Sequence, residues 1–298
     1  MSQDLFRNNL LQYFEALYER VSDVNGHWTV KGFIDVYERI YTISLDTKVL
    51  SKVLELLMFP VIKRFADEQG YRLELATVQN QYPDITLIST IDENICIAID
   101  IKTTYRISET KVSGMTLGTF AGYFRTRDRP VSSRFAYNKY TKHYVLGVIY
   151  SRVENIDERQ VYEINNLAEI PSVAHSFQFF LQEKYLIASD IPGSGNTKNI
   201  GSTVYLDRLI NGLGVFSNLG IEIFDDYWMN YRTKAMAKDE GFEKTPYKNL
   251  IEYQAYKKLG SQILTVPIEE IKSEIEVEQL ILKEDDAEVP DDGSIEGD

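Results

Sequence analysis

The stretch YPDITLISTIDENICIAIDIK, Tyr82 to Lys102, decides how the rest of the chain is read. Ile95, Ile97, Ile99 and Ile101 fall on one parity, and Cys96, Ala98, Asp100 and Lys102 on the other. Strand side chains alternate between two faces, so the pattern predicts a half-buried strand with four isoleucines in the core. Asp100 and Lys102 then share the opposite face, about 7 Å apart along the strand. Pro83 sets the entry to a second β-prone run, Ile85 to Ile88, which begins just after Asp84. The turn-like Ser89 to Asn94 between the runs predicts a hairpin that carries Asp84 back towards Asp100.

Two carboxylates held close repel one another, and a cation between them relieves the repulsion. Mg²⁺ suits such a place, because it takes hard oxygen ligands and leaves positions to water and to substrate phosphate. A lysine beside the pair could hold a scissile phosphate, stabilise charge in the transition state, or help deprotonate an attacking water. Pro-Asp, a gap, then Asp-x-Lys resembles the signature of the PD-(D/E)xK nucleases. The plain alternative is a surface ion pair on an ordinary strand, since Asp-x-Lys is common by chance; the isoleucine ladder and the preceding Tyr-Pro-Asp weigh against it.

The 298 residues suffice for one large domain or two small ones. No run of eighteen apolar residues and no signal-peptide pattern is present, which predicts a soluble, cytoplasmic protein without a membrane partner. The single cysteine, Cys96, excludes an internal disulfide and a cysteine-rich zinc site, and His27, His143 and His175 show no metal-ligand spacing. The net charge of −13 looks wrong for a nucleic-acid binder, but it is unevenly placed. Residues 261–298 hold thirteen acidic and two basic side chains, a net of −11, which leaves −2 on the first 260 residues. A body of that charge can still present a basic groove. The expected organisation is a catalytic and DNA-binding domain over 1–260 and an acidic, partly disordered tail over 261–298.

The spacing of Leu5, Phe6, Leu10, Phe14, Leu17, Tyr18 and Val21 predicts one amphipathic helix over Asp4 to Val21. Asn25-Gly26 marks a turn, and Trp28 to Ser44 reads as one or two short strands. A helix then starts at Asp46 or Thr47, with an apolar stripe of Val49, Leu50, Val53, Leu54 and Leu57. Glu55 lies opposite that stripe with Lys48, Ser51 and Lys52: either a solvated face, or one that borders the metal site. Gln79, Asn80 and Gln81, just before Tyr82, could hydrogen-bond base edges or phosphates, or form a polar loop. Arg125, Arg127, Arg129 and Arg134 suit phosphate contacts or a solvated loop. His143 to Tyr150 predicts a buried strand, Phe177 to Ile187 two strands around a turn, and Asp225 to Tyr231 and Tyr247 to Lys258 two helices. The loop Gly193, Ser194, Gly195, Asn196, Thr197, Lys198, Asn199 is dense in hydrogen-bonding groups, and its glycines permit close backbone approach. It lacks Gly-Lys-Ser/Thr and so is no phosphate-binding P-loop; it suits base reading in a major groove.

Several separated blocks, in order, resemble the type II restriction endonucleases. They are Ser44-x-Asp46-Thr47-Lys48-Val49-Leu50-Ser51 with Glu55; Gln79 to Asp84; Ala98 to Tyr105; Thr116-Leu117-Gly118; Phe180-Leu181-Gln182; Gly193 to Ser202; and Asp226-Tyr227-Trp228-x-Asn230-Tyr231. The resemblance runs from about residue 30 to 258. It implies an α/β (α+β) fold with a restriction-endonuclease-like core, a mixed central β-sheet flanked by helices, and a small dimerisation region. It implies a homodimer gripping double-stranded DNA, with Asp84 and Asp100 holding Mg²⁺, Lys102 catalytic, and Glu55 an acid at a second metal position. Gly193 to Asn199 corresponds to a loop that reads bases in the major groove. Gln79, Asn80 and Tyr82 correspond to one approaching the minor groove, and Lys48 is a further candidate DNA contact. The implied site is GATATC, cut bluntly at its centre, with a cognate DNA methyltransferase acting on the same sequence. Lys198 stands in place of a threonine and Gln81 in place of a histidine; the acidic tail has no counterpart. The rival readings are a repair or junction nuclease of the same superfamily and a non-catalytic DNA-binding relative.

Overall fold

The computed structural model describes residues 5–43, 46–78, 80–153, 160–193 and 198–257. The chain divides after Gly214 into two compact units. The first opens with α1 (Leu5–Leu11), α2 (Phe14–Val21), β1 (Gly32–Ile34), β2 (Arg39–Thr42) and α3 (Thr47–Glu68). Then come β3 (Tyr71–Leu75), β4 (Ile85–Ser89), β5 (Cys96–Tyr105), β6 (Thr116–Thr119), β7 (Lys142–Arg152) and β8 (Val161–Glu163). The unit closes with β9 (Ala174–Glu183), β10 (Ala188–Pro192), β11 (Asn199–Ser202) and α4 (Leu206–Asn211).

β5 is the middle strand of a mixed five-stranded sheet ordered β3-β4-β5-β7-β9. It runs antiparallel to β4 and parallel to β7, in the register Ile85↔Ile99 and Asp100↔Val145. One face of this sheet packs Ile85, Leu87, Ile97, Ile99, Leu146 and Val148 against Leu54, Met58, Ile62 and Phe65 of α3 and Leu17 of α2. Asp46 caps α3, its carboxylate accepting from the Lys48 and Val49 amides. The helix runs on through Pro60 to Glu68.

A half-buried β5 is not what forms. Cys96, Ala98 and Asp100 are as buried as Ile97 and Ile99, while Ile95 precedes the strand and is 41% exposed. The reason is position: a central strand is covered on both faces, here by a second layer of aromatic rings supplied by Tyr82 and residues 120–143. The expected single N-terminal helix is also broken, at Gln12 and Tyr13. The break turns the Tyr13 ring edge-on to Phe65, with centroids 5.3 Å apart. Phe177 to Ile187 is not two strands but the end of β9 followed by a 3-10 turn at Lys184–Leu186.

Two small antiparallel sheets complete the unit. One is β1-β2-β8, the other β10-β11-β6. The second unit holds α5 (Ile221–Asn230), α6 (Lys234–Asp239) and α7 (Leu250–Lys257) around an aromatic centre of Tyr227, Trp228, Tyr247 and Tyr253. The Tyr247 hydroxyl donates to the Tyr227 carbonyl at 2.6 Å. No helix among the described residues is long and apolar enough to cross a membrane. Residues 261–298, read as an acidic tail, lie outside the described residues.

Candidate active site

The β4–β5 pairing performs what the hairpin reading required. Continuing the Ile85↔Ile99 register by one residue sets Asp84 opposite Asp100. Asp84 Oδ2 accepts from the Ile101 amide at 2.6 Å, which fixes its carboxylate over the partner strand. Asp100 is 5% exposed, and its Oδ2 lies 2.7 Å from Lys102 Nζ. That ion pair is its counter-charge. A quarter of the Lys102 side chain meets solvent, so the ammonium is reachable from outside.

The electrostatics follow from this crowding. Burial, and then the negative charge of Asp100, push the Asp84 carboxyl up to about 7, against the pull of Lys102 and the Ile101 amide. Burial works against the Lys102 ammonium, but the charges of Asp100, Asp84 and Glu55 and the Asp100 hydrogen bond outweigh it and hold its pKa above the ordinary lysine value. Lys102 therefore stays a cation in this arrangement.

Glu55 is near enough that its charge acts on both Asp84 and Lys102. Its carboxylate is tied to Lys52 at 2.7 Å. Among the described residues no three acidic, histidine or cysteine side chains come together as a metal cluster. Lys48 is exposed at the start of α3. On the same helix, the Ser51 hydroxyl hydrogen-bonds that of Thr103, next to Lys102.

Tyr82 is not a contact on an open surface. It is 4% exposed and stacks on Tyr123, with centroids 4.4 Å apart and planes 15° apart. Its Oη lies 2.7 Å from His143 Nδ1, and the buried Lys184 ammonium sits 4.1 Å above its ring. Burial, with Lys184 and Arg127 nearby, drives the His143 pKa well down, so the ring is neutral. This aromatic layer backs the Pro83-Asp84 turn. A signal for it existed in the chain: Phe120, Tyr123, Phe124, Phe135, Tyr137, Tyr140 and His143 crowd into one stretch. Gln79 lies outside the described residues, Asn80 takes a left-handed φ of 62°, and the Gln81 amide is spent on Thr77 and Ser133.

Three of the four arginines read as phosphate contacts serve their own fold. Arg134 donates twice to Glu74, at 3.0 and 2.8 Å. Arg127 lies over the Phe124 and Tyr137 rings, and Arg125 over Phe120. Arg129 is exposed. Of the candidate recognition loop, Gly193, Lys198 and Asn199 are described, and Ser194 to Thr197 are outside the described residues. Its base is pinned by Gly193 N to Asn199 O at 3.0 Å and by Phe120 N to Lys198 O at 3.1 Å.

The model of the family described as "Restriction endonuclease EcoRV" matches residues 24–258. The type II restriction enzyme EcoRV of Escherichia coli is 38% identical over 242 residues, which cover 80% of this chain and 93% of that enzyme. Among solved structures, the NlaIV restriction endonuclease aligns at 13% identity with a TM-score of 0.44, over 86% of this chain and 97% of its own.

Proposed function

The chain belongs to the EcoRV restriction endonuclease family, type II site-specific deoxyribonucleases, and from that premise we propose that it cuts double-stranded DNA at GATATC, bluntly at the centre, in a Mg²⁺-dependent reaction. The observation that carries the reading is the Asp84–Asp100 pair, the first half-buried and the second buried, with the Lys102 ammonium beside it. The donor set fits a hard divalent cation: two carboxylates oppose each other across adjacent strands, and one is raised to about 7 by burial and the charge of the other. Asp84 and Asp100 would hold Mg²⁺, with Glu55 as a further acid nearby. When bound there, the ion supplies polarisation of the phosphate and a lowered pKa for a coordinated water. Lys102, held as a cation, steadies the negative charge that develops on the phosphate. Asp84 is fixed by the Ile101 amide, so the strand pairing itself sets the spacing of the two acids.

Sequence reading is assigned to the loop Gly193 to Asn199, with Gln79 and Asn80 approaching from the other groove and Lys48 contacting phosphate. Residues 1–260 are the catalytic and DNA-binding domain in this reading. Bending at the central TA step would bring the scissile phosphate to the acids, because pyrimidine–purine steps deform easily. With Mg²⁺, DNA carrying one GATATC should give two discrete fragments with blunt ends mapping between T and A. Smeared products, or cutting only at branches, would favour the junction nuclease; no metal-dependent nicking would favour a binding-only relative. A methyltransferase modifying the same sequence would be the natural companion.

The active species is a homodimer. What supports this is the sheet β1-β2-β8, where Phe33, Tyr41 and Val161 are aligned on one face by the strand register and are between 42% and 51% exposed. Apolar side chains gathered this way mark an interaction surface, and a palindrome suits a two-fold partner. Sedimentation should give twice the chain mass of 34.4 kDa. Phe33→Asp with Tyr41→Asp should shift it to the single-chain mass; a monomeric wild type would reject the assignment.

A further inference from the structure

We infer that the lysine-lined groove of the second unit takes the acidic segment 261–298 of the same chain. The groove is a cavity of about 480 Å³ between α6, the following loop and the start of α7. Lys234, Lys238, Lys244 and Lys248 line it, with Phe242 at its side. All four lysines are exposed, and among the described residues none has a carboxylate within ion-pair distance. The acids Glu243 and Glu252 share the lining and leave it net +2; the Glu252 carboxylate is occupied by the Lys248 amide at 2.9 Å. Phe242 is 44% exposed, an apolar ring beside unpaired cations.

The occupant is matched in charge, composition and reach. Residues 261–298 carry −11, and Ile268, Ile271, Ile275, Val277, Leu280, Ile281 and Leu282 alternate with the acids. Such a segment offers carboxylates to the lysines and aliphatic groups to Phe242. It departs from α7, the helix that follows Lys248, so its tether begins beside the groove. The first acids, Glu269 and Glu270, lie twelve residues past Lys257, a reach of up to ~40 Å when extended. Tethering at this length holds the segment at an effective concentration on the order of millimolar. Weak ion pairs then suffice, and their hold falls as salt rises. The family match stops at residue 258, before this segment begins. The inference does not depend on what DNA the protein cuts.

Zero-length carbodiimide coupling of the full chain, mixed from normal and ¹⁵N-labelled protein, tests it. Peptide mapping should find amide links within single chains from the 269–298 carboxylates to at least two of Lys234, Lys238, Lys244 and Lys248. Their yield should drop about tenfold in 1 M salt, where the screening length is ~3 Å. Links no more frequent than those to Lys48 and Lys63, two exposed lysines of α3, would overturn the inference. So would links found only between differently labelled chains, which would place the segment on a second copy.

Discussion

Asp100→Ala should abolish cleavage while leaving duplex binding intact. Asp100 is almost fully buried, faces Asp84 across the strand pair, and is the ion-pair partner of Lys102 at 2.7 Å. Removing it takes away one of the two carboxylates that would hold the ion, and frees the Lys102 ammonium from its fixed position. A loss of about 4–6 kcal/mol of transition-state stabilisation corresponds to roughly 10³–10⁴-fold in rate. Binding should hold or tighten, because a carboxylate facing the phosphates repels them. The fold should hold as well, because Lys102 keeps a quarter of its side chain in solvent and the Asp84 carboxylate remains close enough to act on its charge. Single-turnover cleavage measured beside a gel-shift titration separates the two effects. An Asp100→Ala protein that still cuts at near the parental rate would contradict the assignment of the acid pair.

Gly118→Ala should be the most damaging single methyl in the first unit. Gly118 sits in β6 at φ +95°, a conformation that side chains with a Cβ rarely adopt. A Cβ there would stand 1.7 Å from the Tyr123 hydroxyl. Tyr123 cannot simply retreat, because its ring is stacked on Tyr82 at 4.4 Å, and Tyr82 leads directly into Pro83 and Asp84. Overpacking and backbone strain together should cost about 3–5 kcal/mol by denaturant unfolding. Tyr123→Phe in the same chain removes the clashing oxygen and should recover the steric part, leaving roughly 1–2 kcal/mol of strain. The two substitutions are in contact, so a double-mutant cycle should show strong coupling. Strictly additive losses would mean that the clash is not what makes glycine necessary. The Thr116-Leu117-Gly118 block seen in the sequence thus has a physical reason: its glycine clears the space for a ring that backs the acid turn.

The strand pairing that joins Asp84 to Asp100 was legible because a two-residue period and a short turn leave little freedom in a hairpin. Helix α3 was legible from Asp46 and the spacing of Leu50 and Leu54. What period alone could not show was that both faces of β5 are covered. Cys96 and Ala98 read as the exposed side because small side chains look neutral when their cover comes from rings 25 to 45 residues downstream. The burial of Tyr82 was hidden for the same reason: its neighbours in sequence are polar amides, whereas its neighbours in space are Tyr123, Tyr137 and His143. The ring partners of Arg125 and Arg127 were not legible, because a guanidinium over a ring and one facing solvent look alike in sequence. Glu55 was placed near the acids by resemblance, and the structure sets its charge within reach of Asp84 while tying its carboxylate to Lys52.

Everything said about the site depends on two carboxylates sharing one pocket whose charge the fold alone does not neutralise. Asp84 has a folded-state pKa of about 7, above the ordinary aspartate value of 3.8. A group raised in this way contributes its stability at low pH, and that stability is lost as pH rises through the folded value. The measurement is unfolding free energy against pH, with and without millimolar Mg²⁺, for the wild type and Asp84→Asn. Without the ion, the wild type should lose a few kcal/mol, on the order of 1.4 per unit of raised pKa, between about pH 4 and 7. Mg²⁺ should restore stability at pH 8, and Asp84→Asn should show neither the slope nor the rescue. A flat wild-type profile, or equal stabilisation of Asp84→Asn by Mg²⁺, would contradict it.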